Sequence, residues 1–124
     1  MSTDAIADFE SQYLQTWTEP NSQVRRGHID RMWTTNGRMI VSSLGVTVEG
    51  IEEIAAHITR VHEDNIVGKG LRFTYDQHLQ AGDALLLRWS MLAPSGDSIG
   101  RGVDVIFRDP EGRVETVYMF MGVN

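Results

Sequence analysis

The sequence predicts an α+β domain in which a curved antiparallel sheet, cone-shaped, is covered by three N-terminal helices. Three observations point to it. Helical periodicity is confined to the first half of the chain, and strand-like runs joined by short turns fill the second. The last third, Ser98 to Gly122, reads as two long strands around a tight turn at Asp109-Pro110-Glu111-Gly112, where Pro pre-sets one turn position and Gly tolerates another. Gly100 and Gly102 inside the first of those strands signal a bulge or sharp bend, as a curved sheet requires. A curved sheet closed over by helices encloses a natural site for a small apolar ligand.

Taken in order, Thr3 or Asp4 caps a first helix whose stripe is Ile6, Phe9, Tyr13 and Trp17. Pro20 stops it at Glu19. Asn21 or Ser22 caps a second helix running to about Trp33, with Val24, Ile29, Met32 and Trp33 on its apolar side and Gly27 weakening it. Arg25-Arg26 and Arg31 read as solvated helix surface. Asn36-Gly37 is a turn signal and "RMIVSS" a short strand. Gly50 precedes a third helix, "IEEIAAHITRVHEDN", with Ile51, Ile54, Ala55, Ile58 and Val61 on one face. His62 falls near the middle of that face and His57 at its edge. Gly68 and Gly70 end the pattern. Four strands then follow, separated by turns at Gly82-Asp83, Pro94 to Asp97 and Asp109 to Gly112.

The 124 residues suit a single domain, 1–124, large enough to bury roughly two-thirds of its unfolded surface. A net charge of −6 argues against nucleic acid, since phosphate contacts need a basic footprint. No apolar run approaches the ~20 residues of a membrane span, and the acidic start "MSTDAIADFE" is unlike a signal peptide, so a cytoplasmic location without membrane partners is the expectation. With no cysteine, thiolate chemistry and zinc–sulfur sites are excluded. His57 and His62 lie about 140° apart around a helix, and no HExxH-type motif exists, so neither a metal nor another cofactor is expected.

The chain resembles the SnoaL-like branch of the nuclear-transport-factor-2-like superfamily. "QYLQTW", "HIDRMWTTNGRMIVSS", "GIEEIAAHI", "LLRWSM" and "GVDVIFRDPEGRVETVYMFMG" carry the resemblance through their order and spacing. It implies a cystatin-like cone of sheet and three helices, and a homodimer through the outer sheet face. The superfamily includes ketosteroid isomerases, polyketide cyclases, epoxide hydrolases, dehydratases and non-catalytic binding modules, and only pocket residues choose among them.

Carried over residue by residue, the isomerase pattern matches Tyr13 to the tyrosine donor, places Ser42 where a catalytic aspartate belongs, and aligns Arg101 with the second acidic donor. The epoxide-hydrolase pattern meets Met119 where it would hold a carboxylate, and the polyketide-cyclase aspartate has no matched position. Strand alternation puts Arg101, Val103, Val105 and Phe107 on the core face, leaving Asp104 outward with Gly100, Gly102, Ile106 and Arg108. A glycine bulge would exchange the faces, and burial would then make Asp104 the best acid–base candidate. The catalytic candidates are therefore Tyr13, Arg101, Asp104 and His62. The expected cavity wall holds Trp17, Ser42, Trp89, Met91, Val103, Val117, Met119 and Met121. Two functions remain open: a pocket protein that binds, isomerises, cyclises or hydrolyses a hydrophobic small molecule, and a non-catalytic dimeric module whose cavity its own side chains fill. In the second, Tyr118 and Phe120 would supply the interface. A cavity above about 300 Å³ with Tyr13 and Arg101 in its wall would separate them.

Overall fold

The computed structural model describes residues 3–42 and 45–122, with side chains from Ala5 onward. Helix α1 (Thr3–Thr18), helix α2 (Ser22–Met32) and helix α3 (Ile51–Val61) lie against one face of a six-stranded sheet. The strands are β1 (Trp33–Val41), β2 (Val46–Glu49), β3 (Arg72–Ala81), β4 (Ala84–Leu92), β5 (Ser98–Arg108) and β6 (Val114–Met121), in the order β2-β1-β6-β5-β4-β3. The α+β architecture is the expected one. The sheet is mixed rather than wholly antiparallel, because β1 runs parallel to β6.

The stripe of α1 is buried as its spacing requires, with Tyr13 fully enclosed. The cap expected at Thr3 or Asp4 lies outside the described side chains. Asn21 caps α2, its side-chain oxygen accepting from the amides of Gln23 and Val24 at 3.0 Å. Two readings of α2 are corrected. Val24 is exposed, whereas Arg25 is buried and donates to the Glu19 carbonyl at 2.8 Å, closing off the end of α1. Arg26 keeps to the surface, paired with Asp30 and Glu52.

Asn36-Gly37 does not turn. It lies inside β1, which begins at Trp33 rather than continuing α2. A Cβ at position 37 would sit 2.6 Å from Cε3 of Trp33, so Gly37 lets the indole lie flat across the strand. Of "RMIVSS", Ser43 lies outside the described residues. The four-residue β2 had no sequence signal and pairs with β1 on the edge. The third helical stretch ends differently than expected. After Val61 the chain passes into a π-helical turn, His62–Val67, of the kind found at functional sites.

The core between helices and sheet is built from Ile29, Trp33, Met39, Ile54, Ile58, Leu85, Leu87, Ile106, Val114 and Val117. The Asp109–Gly112 turn forms as expected, with Gly112 at φ +88° and Asp109 Oδ1 accepting from the Glu111 and Arg113 amides. Among the described residues, no helix is long and apolar enough to cross a membrane.

Candidate active site

In an antiparallel ladder, directly opposed residues share a face. Asp104 of β5 opposes Leu87 of β4 and Met119 of β6, while Gly102 opposes Trp89 and Met121. Trp89, Met91, Met119 and Met121 are expected on the cavity wall, and the register puts Asp104 there with them. Its outward reading is corrected: Asp104 is 2% exposed. Ile106 is buried beside it, and the Arg108 guanidinium lies 4.8 Å from the ring centroid of Phe9 on α1, so this whole parity of β5 faces the helices.

An open-mouthed cavity of about 270 Å³ lies between this sheet face and the helices. The sheet wall carries Val41, Phe73, Tyr75, Trp89, Met91, Asp104, Met119 and Met121. The helical wall carries Leu14, Trp17, His57, Val61 and Asn65. The lining is overwhelmingly apolar and contains one carboxyl and no lysine or arginine. Gly102 makes room for it. A Cβ there would fall 2.2 Å from Cζ2 of Trp89, so only glycine lets the indole lie across β5 and bring its N–H to Asp104.

Trp89 Nε1 donates to Asp104 Oδ1 at 3.0 Å, and the Tyr75 hydroxyl also hydrogen-bonds this carboxyl. Burial raises the Asp104 pKa to about 7, against the opposing pull of these two donors. Burial first, and the Asp104 charge second, push the Tyr75 phenol well above its usual range, so it stays protonated and able to donate. The His57 imidazole is shifted downward, by burial and then by Arg60, which keeps it neutral.

The sequence-derived candidates divide. Trp17, Trp89, Met91, Asp104, Met119 and Met121 line the cavity. Arg101 does not: it is exposed on the opposite parity of β5, facing outward with Val103 and Val105. Val103, though buried, belongs to that outer face. Val117 is packed into the core. Ser42 lies at the end of β1, where its hydroxyl accepts from the Met121 amide at 3.1 Å. Tyr13 is behind the cavity, stacked with Phe9 and Tyr75; Trp17 is beside its hydroxyl, but no group meets it at hydrogen-bonding geometry. His62 is also absent from the wall. Its Nδ1–H donates to the Trp17 carbonyl at 2.7 Å, fastening the end of α1 to the π-helical turn. The histidine in the wall is His57. Tyr75, His57 and Asn65 were not anticipated from sequence. Among the described residues, no group of three or more potential ligands is placed to hold a metal.

The fold is an α+β one in which helices and a curved sheet enclose an apolar cavity, lined by one acid among the described residues. No family model matches the chain, and a search of curated proteins gives no match. Solved structures do match. A SnoaL-like protein from Agrobacterium tumefaciens C58, named as a candidate isomerase, is 27% identical, with TM-score 0.82, covering 93% of this chain and 95% of its own. An NTF2-like protein of unknown function from Exiguobacterium is 13% identical, with TM-score 0.72 over 94% and 99%. A candidate SnoaL-like polyketide cyclase from Jannaschia is 20% identical, with TM-score 0.63 over 91% and 87%. The resemblance read from the sequence is supported: the chain is similar in fold to SnoaL-like and nuclear-transport-factor-2-like proteins.

Proposed function

We propose that the protein binds a hydrophobic small molecule in this cavity and moves a proton on it, with Asp104 as the acid–base group. The observation carrying this reading is the placement of one carboxyl, 2% exposed and with a pKa of about 7, in an apolar wall. Such a group is half protonated at neutral pH, so it takes and returns a proton with similar ease. The carboxylate removes a proton from the carbon between a ligand carbonyl and a carbon–carbon double bond, leaving the electron pair as a dienolate. It then returns the proton to another carbon. The net change is a shifted double bond, with nothing oxidised and no water consumed. Trp89 N–H and Tyr75 O–H hold the carboxylate in place throughout. One structural neighbour is named as a candidate isomerase and another as a candidate polyketide cyclase. A hydrolysis needing several carboxylates around one water has only Asp104 among the cavity-lining residues.

The test is deuterium exchange at the α-carbon of 1-tetralone, followed by proton NMR. The wild-type protein accelerates exchange, and Asp104→Asn loses roughly 10²–10⁴-fold of that acceleration. Exchange no faster than in buffer, or unchanged in the variant, would overturn the reading.

A second role is compatible with this one. The outer sheet face exposes Leu79, Tyr118 and Phe120, at 54%, 37% and 43%, and aromatic residues are enriched at interfaces. We infer a homodimer through this face. Sedimentation as a monomer at high micromolar concentration would exclude it.

A further inference from the structure

His57, Val61 and Asn65 stand at four-residue intervals and form one stripe on the helical wall of the cavity. His57 is 8% exposed, and its ring meets Trp17 edge-on, with centroids 6.2 Å apart. The other three histidines are engaged: His28 with Arg31, His62 with the Trp17 carbonyl, His78 with Glu10. Neither ring nitrogen of His57 has a hydrogen-bond partner among the described residues. Because His57 lines the cavity, its imidazole is left to pair with whatever occupies that space.

The chemistry of that partner is constrained on three sides. A neutral imidazole offers one donor and one acceptor, which together suit a hydroxyl. Among the described residues no cationic side chain lines the cavity and Asp104 is the one acid there, so an anionic ligand would be desolvated without compensation from them. At a packing density of about 0.74, a cavity of about 270 Å³ encloses about 200 Å³ of ligand atoms, which is one or two fused rings, and anything larger would reach out through the open mouth.

We propose that His57 is the second polar contact of the ligand, and that the cavity selects an uncharged one- or two-ring compound whose hydroxyl meets His57. The proposal rests on the reading of this cavity as a small-molecule site with Asp104 as its proton-transfer group. Asp104 takes the reacting carbonyl end, and His57 the far end.

Equilibrium dialysis of the full chain against three probes tests it: 1-tetralone, 6-hydroxy-1-tetralone, and the 6-carboxylate of 1-tetralone. In the wild type the hydroxyl should tighten binding at least tenfold over 1-tetralone, and the carboxylate should weaken it by as much. His57→Leu should bring the affinity ratio of the hydroxylated to the plain ketone, measured within that variant, down to about one, and His57→Gln should restore most of the ratio. A hydroxyl gain that persists in His57→Leu, a loss shared equally by the two ketones, or tight carboxylate binding would each overturn the proposal. If that happens while Asp104→Asn still abolishes exchange on 1-tetralone, only the role of His57 falls. If none of the probes binds the wild type, the cavity reading falls with it.

Discussion

The two faces of β5 come from the same eleven residues and have opposite characters. The inner face is Gly100, Gly102, Asp104 and Ile106, two glycines and an acid among four residues, and it looks into the cavity and core. The outer face is Arg101, Val103, Val105 and Phe107, richer in apolar side chains, yet Arg101 is exposed and Val105 and Phe107 are only half-buried. Side-chain hydrophobicity therefore selects the wrong face. Burial follows from what lies opposite: the inner glycines are empty so that Trp89 and the methionines of β6 can fill the space, and the acid is tolerated because two donors reach it.

Adding one carbon to the inner face should break this arrangement most severely. At Gly102 a Cβ would lie 2.2 Å from the Trp89 ring and 2.5 Å from the carbonyl oxygen of Phe120, and a backbone oxygen in the middle of a ladder cannot step aside. Gly102→Ala should cost roughly 3 kcal/mol or more, the upper end of overpacking effects. Arg101→Ala, one residue away on the outer face, should stay within about 0.5 kcal/mol. Urea denaturation of the two variants measures the contrast, and similar losses would refute it.

Charge is the next lever. The ordinary pKa of Asp104 is 3.8 and its folded value about 7, so between those limits the native state holds a proton that the unfolded chain has released. Its contribution is complete below the ordinary value and is lost as pH rises through 7. Between pH 5 and pH 8 the loss amounts to roughly 2 to 3 kcal/mol. His57 acts in the opposite direction, since its lowered pKa withdraws stability as pH falls through the usual imidazole range. The comparison with Asp104→Asn isolates the carboxyl: wild type should weaken relative to the variant by that amount on going from pH 5 to pH 8. Parallel stability curves would mean that Asp104 titrates as an ordinary surface acid.

Sequence reasoning reached the elements and stopped at parity, and the reason is physical. Periodicity identified the stripe of α1, the buried face of α3 and the four C-terminal strands, because each is decided by local spacing. The parity of β5 is decided by two bulges. Counting outward from the tight turns without them sets Asp104 against Tyr118 and Leu86, facing outward. The register shifts at Phe107/Arg108 and Met91/Leu92 set it against Met119 and Leu87 instead. The glycines drew attention to a bulge, but the bulges lie at the turn-proximal ends of the hairpins. A third shift, at Tyr75/Gln77, brings Tyr75 opposite Trp89 rather than Ser90, which is why this partner of Asp104 was not found from sequence. One extra residue leaves no hydrophobic signature. The histidines show the same limit: His62 is nearer the centre of the apolar face than His57, and for that reason it is packed between elements, while the edge residue reaches the cavity.

The smallest effect is also the most specific to the inner face. Trp89→Phe keeps an aromatic ring over Gly102 and removes only the N–H that Asp104 accepts. A hydrogen bond to a charged acceptor contributes about 1.5–3 kcal/mol and one to a neutral acceptor about 1, so the loss falls mainly on the carboxylate form. The variant should therefore be about 1 kcal/mol weaker at pH 8 than its loss at pH 5 accounts for. The Asp104 pKa should rise by roughly one further unit, and the pH midpoint of tetralone exchange with it. Any packing defect left by the smaller ring is common to both pH values and cancels in the difference. An unmoved midpoint would show that Tyr75 and burial alone set the acid, and that Trp89 serves the cavity as a wall and not as a partner in proton transfer.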